Sequence, residues 1–98
     1  MGPVKAALEA VVRELATELG PKNIRVHALS PGPILTRAAA GIEHFDALLT
    51  DTVRRAPQQR LVTIEEVGSV AAGLVCDGAR GMTGNVVFVD GGGHVLGC

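Results

Sequence analysis

Two short runs of strand-forming residues lie far apart in this chain, and nearly everything between them reads as helix or turn. Ile24-Arg25-Val26-His27-Ala28-Leu29 is the first and Val86-Val87-Phe88-Val89 the second. A hairpin cannot join strands separated by a long helical stretch, so the two are expected to be parallel neighbours linked by a crossover. The second run is apolar at every position, the pattern of a strand covered on both faces by helices. These two observations define an α/β chain built on a parallel sheet.

Helical periodicity accounts for the rest. Val4, Leu8, Val11, Leu15 and Leu19 recur at three- and four-residue steps from Met1 to Leu19, and Gly20-Pro21 stops the helix. A second helical pattern, from Ala38 to about Arg55, places Ile42, Phe45, Leu48, Leu49 and Val53 on one side. A break at Ala56-Pro57-Gln58-Gln59 leads to Thr63-Ile64-Glu65-Glu66, the spacing of a capping box. The helix that it starts carries Val67, Val70, Ala71, Leu74 and Val75 and is expected to end at Asp77-Gly78. Ser30-Pro31-Gly32-Pro33 is expected to stop the first strand at once. Two parallel strands make a poor sheet by themselves, and the first helix needs a surface to pack on, so the chain reads as part of a larger domain.

Composition excludes several functions. Nine Lys and Arg against ten Asp and Glu leave no basic stripe for a phosphate backbone, so nucleic-acid binding is not expected. No apolar run approaches the ~20 residues of a membrane span, and no secretory signal opens the chain. Two cysteines, Cys76 and Cys98, make no disulfide framework; they suit a reducing cytoplasm, with Cys76 expected to be a buried helix thiol. His27, His44 and His94 show no metal-ligand spacing with them, and no metal site is expected. Ser30 and Ser69 lie in no nucleophile elbow. Gly91-Gly92-Gly93 follows a strand but is expected to precede no helix, so it is not a phosphate loop. The chain has neither Trp nor Tyr, so chemistry that needs a phenol must borrow it from elsewhere.

Three segments together resemble a known family. Val4-Lys5-Ala6-Ala7-Leu8-Glu9 is similar to the active-site-lysine helix of short-chain dehydrogenases and reductases. Ile24 to Pro33 resembles their sixth strand and the loop behind it, and Thr83-Gly84-Asn85-Val86-Val87-Phe88-Val89-Asp90-Gly91-Gly92 their last strand and its exit. Met1-Gly2-Pro3-Val4-Lys5 fits the enoyl-acyl-carrier-protein reductase branch, in which six residues separate tyrosine from lysine; the tyrosine would then fall before Met1, with two residues between them. Gly32-Pro33-Ile34-Leu35-Thr36-Arg37-Ala38-Ala39-Ala40-Gly41-Ile42 is similar to the substrate-loop signature of that branch, although Arg37 stands where better-known bacterial members carry an apolar residue.

The resemblance implies that residues 1–98 are the C-terminal part of one Rossmann-like, doubly wound domain. It implies reduction of a trans-2-enoyl thioester on acyl carrier protein with hydride from NADH (NADPH being the alternative), in fatty acid biosynthesis, by a cytoplasmic homotetramer. Lys5 is implied to be catalytic and to bind the nicotinamide ribose. Ile34 is implied to meet the carboxamide, with Leu35, Thr36, Arg37 and Ala38 beside the pyrophosphate and nicotinamide; Ala38, Ile42 and Phe45 would line the acyl pocket. Two alternatives stand beside this: another short-chain reductase, such as a 3-ketoacyl reductase, and a non-catalytic relic or assembly partner. The 98 residues alone are expected to be inactive.

Overall fold

The computed structural model describes residues 2–33 and 45–96, with the side chains of Phe45 and Asp46 left out of account. It contains three α-helices, α1 (Gly2–Leu19), α2 (Phe45–Arg55) and α3 (Ile64–Leu74), and two strands, β1 (Ala28–Pro31) and β2 (Val86–Val89). The strands pair in one two-stranded sheet. They run parallel: the amide of Ala28 donates to Asn85 O at 2.9 Å and that of Gly32 to Val89 O at 3.1 Å, both partners advancing by four residues. The chain divides into two compact units, Met1–Leu29 with Ala71–Val87 and Ser30–Val70 with Phe88–Cys98.

In the first unit α1 ends as its sequence requires. Gly20–Lys22 forms a 3-10 turn, and Asn23 takes a left-handed conformation at φ 62° while its amide donates to Gly20 O. Asparagine tolerates that conformation better than most residues. The helix buries Val12, at 6% exposure, and Ala16. Ala16 lies close to Gly84, at 3.4 Å from where a glycine side chain would begin. The stripe read from periodicity is elsewhere: Val4, Leu8, Val11 and Leu15 are exposed, Leu8 at 50%.

The first strand forms later than its sequence suggests. Ile24 to His27 are not in the strand, and Ser30 and Pro31, expected to break it, are. The displaced segment has other partners. The Val26 amide donates to Thr83 Oγ1 at 3.0 Å, its carbonyl accepts from Gly84 at 2.7 Å, and Arg25 donates to Leu74 O and Ala79 O at 2.6 and 2.7 Å. Arg25 thus serves the last carbonyl of α3, at Leu74, and joins it to the Ala79 carbonyl at the end of the following 3-10 turn. Pro31 fits because ladder donors alternate: Ala28 and Gly32 donate to β2, so the missing N–H falls on the other edge.

α3 stops at Leu74, short of Asp77-Gly78, which instead belongs to a 3-10 turn over Asp77–Ala79. That places Cys76 beyond the helix. The thiol is exposed, with Sγ donating to Ala72 O at 3.2 Å, and not buried as expected. Cys98 lies outside the described residues.

In the second unit the capping box of α3 is present with both bonds. The Glu66 amide donates to Thr63 Oγ1 at 3.0 Å and the Thr63 amide to Glu66 Oε1 at 2.9 Å. Arg60 adds a two-pronged contact to the same carboxylate at 2.7 Å on each oxygen. The Arg60 guanidinium and the Thr63 amide hold the Glu66 carboxyl down at about 2. α2 begins at Phe45; the earlier part of its expected helix, from Ala38, lies outside the described residues. After α2 the Gln58 amide donates to Gly91 O at 3.0 Å. There Gly92, at φ 91°, could not carry a side chain, because its first carbon would lie 2.9 Å from Pro57 Cγ. Gly93 opens a 3-10 helix, Gly93–Leu96, where no helix was expected after the glycines.

β2 matches its sequence reading residue for residue. Its expected cover does not: Phe88 is 43% exposed. Among the described residues, two strands and three helices offer too little surface to bury both faces of an all-apolar strand.

Candidate active site

The second unit has an open cavity of about 340 Å³. Its walls come from four places: Ser30 to Pro33 at the end of β1; Leu48, Asp51, Thr52, Arg55 and Ala56 along and just beyond α2; Phe88 and Asp90 at the end of β2; and Gly93, His94 and Leu96 of the last 3-10 turn. Both strands deliver their carboxyl ends to it, which is where doubly wound sheets bind ligands. Pro31, Pro33, Leu48, Phe88 and Leu96 make much of the wall apolar, and a few polar groups break it.

The charged ones among them are paired within the unit. On α2, Asp51 contacts Arg54 at 2.8 Å and Arg55 at 3.4 Å, and its carboxyl is lowered by the Arg54 hydrogen bond foremost. At the end of β2, Asp90 Oδ1 accepts from the Gly92 amide and Oδ2 from the His94 amide, each at 3.0 Å. The His94 ring nitrogen Nδ1 lies 3.1 Å from both carboxylate oxygens. Desolvation raises the Asp90 carboxyl, but the His94 ring and the two amides together lower it further than that, so the net direction is down. The other face of the imidazole is used too: His94 stacks on Phe88 with centroids 4.0 Å apart and planes 11° from parallel.

Of the residues expected to act, Lys5 is on the first turn of α1, in the first unit, with an exposed side chain. Ile34, Leu35, Thr36, Arg37, Ala38 and Ile42 lie outside the described residues. Phe45 opens α2, but its side chain also lies outside them. The loop segment Ser30–Pro33 and Leu48 do border the cavity. Asp90 and His94 were missed by sequence reasoning, which weighed His94 only as a metal ligand. The available signal was their four-residue spacing, with an aromatic two positions ahead of the aspartate. Among the described residues no group of three His, Cys, Asp or Glu could hold a metal, and no helix is long and apolar enough to cross a membrane.

A parallel α/β sheet with helices beside it and a partly apolar pocket at its strand ends has the architecture of the doubly wound class. The family model described as enoyl-(acyl carrier protein) reductase matches residues 1–94, and the chain belongs to that family. It is 50% identical over 97 residues to an NADH-dependent enoyl-[acyl-carrier-protein] reductase of Bacillus cereus, covering 99% of this chain and 38% of the relative. An NADPH-dependent reductase of Staphylococcus aureus is 48% identical over 96 residues, 98% of this chain and 38% of its own. A crystal structure of the Anaplasma phagocytophilum enzyme in complex with NAD superposes with a TM-score of 0.89 at 47% identity, covering all of this chain and 37% of that one. The chain thus spans well under half the length of the relatives it matches.

Proposed function

We propose that this chain forms the nicotinamide-side part of an enoyl-acyl-carrier-protein reductase of fatty acid biosynthesis, within one nucleotide-binding domain. The observation that carries the reading is the Gly32–Pro33 segment: it follows β1 at the cavity, beside the end of β2. A concave, mostly apolar volume of about 340 Å³ fits a flat nicotinamide with a neighbouring acyl group, and Gly32 brings backbone without a side chain to its wall. The chain contains no G-x-G-x-x-G fingerprint, so it supplies no pyrophosphate cradle of that kind.

NADH, when bound, supplies the hydride; NADPH is the alternative that the Staphylococcus relative brings forward. Lys5 takes the roles of ribose donor and positive neighbour to a phenol. An exposed ammonium on a first helical turn can donate to ribose hydroxyls, and its charge favours the phenolate of a tyrosine brought beside it. Ile34, Leu35, Thr36, Arg37 and Ala38 continue the chain from that segment and take the carboxamide and pyrophosphate side. Ala38, Ile42 and Phe45 line the acyl pocket together with Leu48, which already borders the cavity. The substrate is an enoyl thioester on acyl carrier protein, and the working form is a cytoplasmic homotetramer. A 3-ketoacyl reductase is the weaker reading, since the family match and the relatives above point to enoyl reduction.

The test is a chimera in which the Bacillus cereus relative's preceding residues are joined to this chain. It is expected to oxidise NADH or NADPH with crotonyl thioester and not with a β-ketoacyl thioester. The reverse preference, or no turnover by a folded chimera, would overturn the reading.

A further inference from the structure

We infer that His94 is a ligand-binding residue, whose Nε2 accepts a hydrogen bond from an amide N–H of the molecule held in the cavity at the strand ends. The inference rests on the reading that this cavity takes the nicotinamide and the thioester. Asp90 decides which ring nitrogen carries the proton. Its carboxylate accepts from the Gly92 and His94 amides, and the ring presents Nδ1 at 3.1 Å from each of its oxygens. A carboxylate only accepts, so Nδ1 is the donor and Nε2 of the neutral ring keeps a bare lone pair. The negative charge behind the ring makes that lone pair a better acceptor.

Both degrees of freedom of the ring are fixed. Stacking on Phe88, with planes 11° from parallel, sets its tilt, and the Asp90 bond sets its rotation. Nε2 therefore lies on the far side of the ring from the carboxylate. Among the described residues nothing bonds it, and the His94 side chain is 39% exposed where that of Asp90 is 13%. His94 borders the cavity next to Gly93, where the first carbon of a side chain would meet no atom within 4 Å, so there is open space beside the ring. Leu48, Phe88 and Leu96 line the same cavity. An apolar wall with one oriented acceptor selects a molecule that is apolar along its length and carries an N–H donor. A bare hydrocarbon chain would leave the acceptor without a partner. Both molecules of the proposed reaction carry amides: the carboxamide of the nicotinamide, and those of the pantetheine arm that holds the acyl group.

The variants belong in the chimera. NADH affinity is read by fluorescence titration, and KM with crotonyl pantetheine thioester and with crotonyl ethyl thioester, which has no amide. His94→Ala and His94→Asn are expected to lose about three- to ten-fold on the ligand that supplies the amide, the scale of one hydrogen bond. Their melting temperatures should stay within a few degrees of the parent. A loss in NADH affinity assigns the carboxamide; a loss in KM for the pantetheine thioester alone assigns the arm. His94→Gln, whose carbonyl reaches the place of Nε2, should restore most of the loss. Asparagine keeps the bond to Asp90 without that reach, so rescue by asparagine and not by glutamine would mark a structural role and overturn the inference. Unchanged binding in both His94→Ala and His94→Asn would do the same. So would a His94 Nε2 resonance, read by nitrogen NMR of the labelled parent, that moves with neither ligand. A parent that reduces no enoyl thioester, but whose Nε2 resonance moves with NADH, would sink the substrate assignment and leave this site standing.

Discussion

At the scale of single residues, Lys5 illustrates how local context changes the meaning of a side chain. Composition makes an exposed helix lysine an ordinary solvated charge, and its exposure on α1 agrees with that. In the function proposed above, its place in Val4-Lys5-Ala6-Ala7 would give it work to do. In the chimera Lys5→Ala should lower kcat/KM for NADH by about ten- to a hundred-fold, the scale of a lost charged hydrogen bond. Lys5→Arg should fall between the two, because the planar guanidinium presents its donors differently. Kinetics within a factor of about two of the parent for Lys5→Ala would return the residue to the solvated surface.

At the scale of elements, the start of α3 shows several weak signals acting together. Thr63 and Glu66 satisfy each other's backbone amides, two acidic residues occupy the first turn, and Arg60 grips Glu66 from the preceding loop. Glu66 sits at about 2 against an ordinary 4.5, so the folded state holds its carboxylate more tightly than the unfolded chain does. A depressed carboxyl stabilises the fold fully above the unfolded value, and the benefit is lost as pH falls from about 4.5 towards about 2. Melting temperatures of the chimera measured between about pH 6 and about pH 3 should therefore drop more steeply for the parent than for Glu66→Gln. Parallel curves would mean that the contact, half exposed to solvent as it is, contributes nothing measurable.

At the scale of the molecule, the exposed stripe of α1 dominates. Val4, Leu8, Val11 and Leu15 form a helical face with nothing of the described chain over it, and Val75 at 77% exposure adds to the uncovered apolar surface. Surface of that kind is what a larger domain or a neighbouring subunit covers. The 98-residue chain by itself should bind an apolar dye and self-associate, and it should not turn over NADH with crotonyl thioester; the chimera should show less dye binding per mole. A monomeric 98-residue chain that leaves the dye dark would contradict this.

Much of the architecture was legible in the residues because it rests on local rules. Helical spacing identified α1, α2 and α3, an unbroken apolar run identified β2 to the residue, and one capping box located the start of α3. The parallel pairing followed from the length of the crossover. Features that depend on distant partners were not legible. The bounds of β1 were decided by Thr83, Gly84 and the carbonyls of Leu74 and Ala79, which occupied Arg25 and Val26 and left the strand to Ala28–Pro31. The exposure of Cys76 was decided by α3 stopping at Leu74. The cluster of Phe88, Asp90 and His94 against Gly32 joins the two ends of paired strands, and no periodicity records which residues sheet register will bring face to face. Periodicity and caps are written in near neighbours, so the chain alone determined its helices, its second strand and its fold class. Register, burial and the walls of the cavity depend on residues far apart in the chain, so only the tertiary structure decided them.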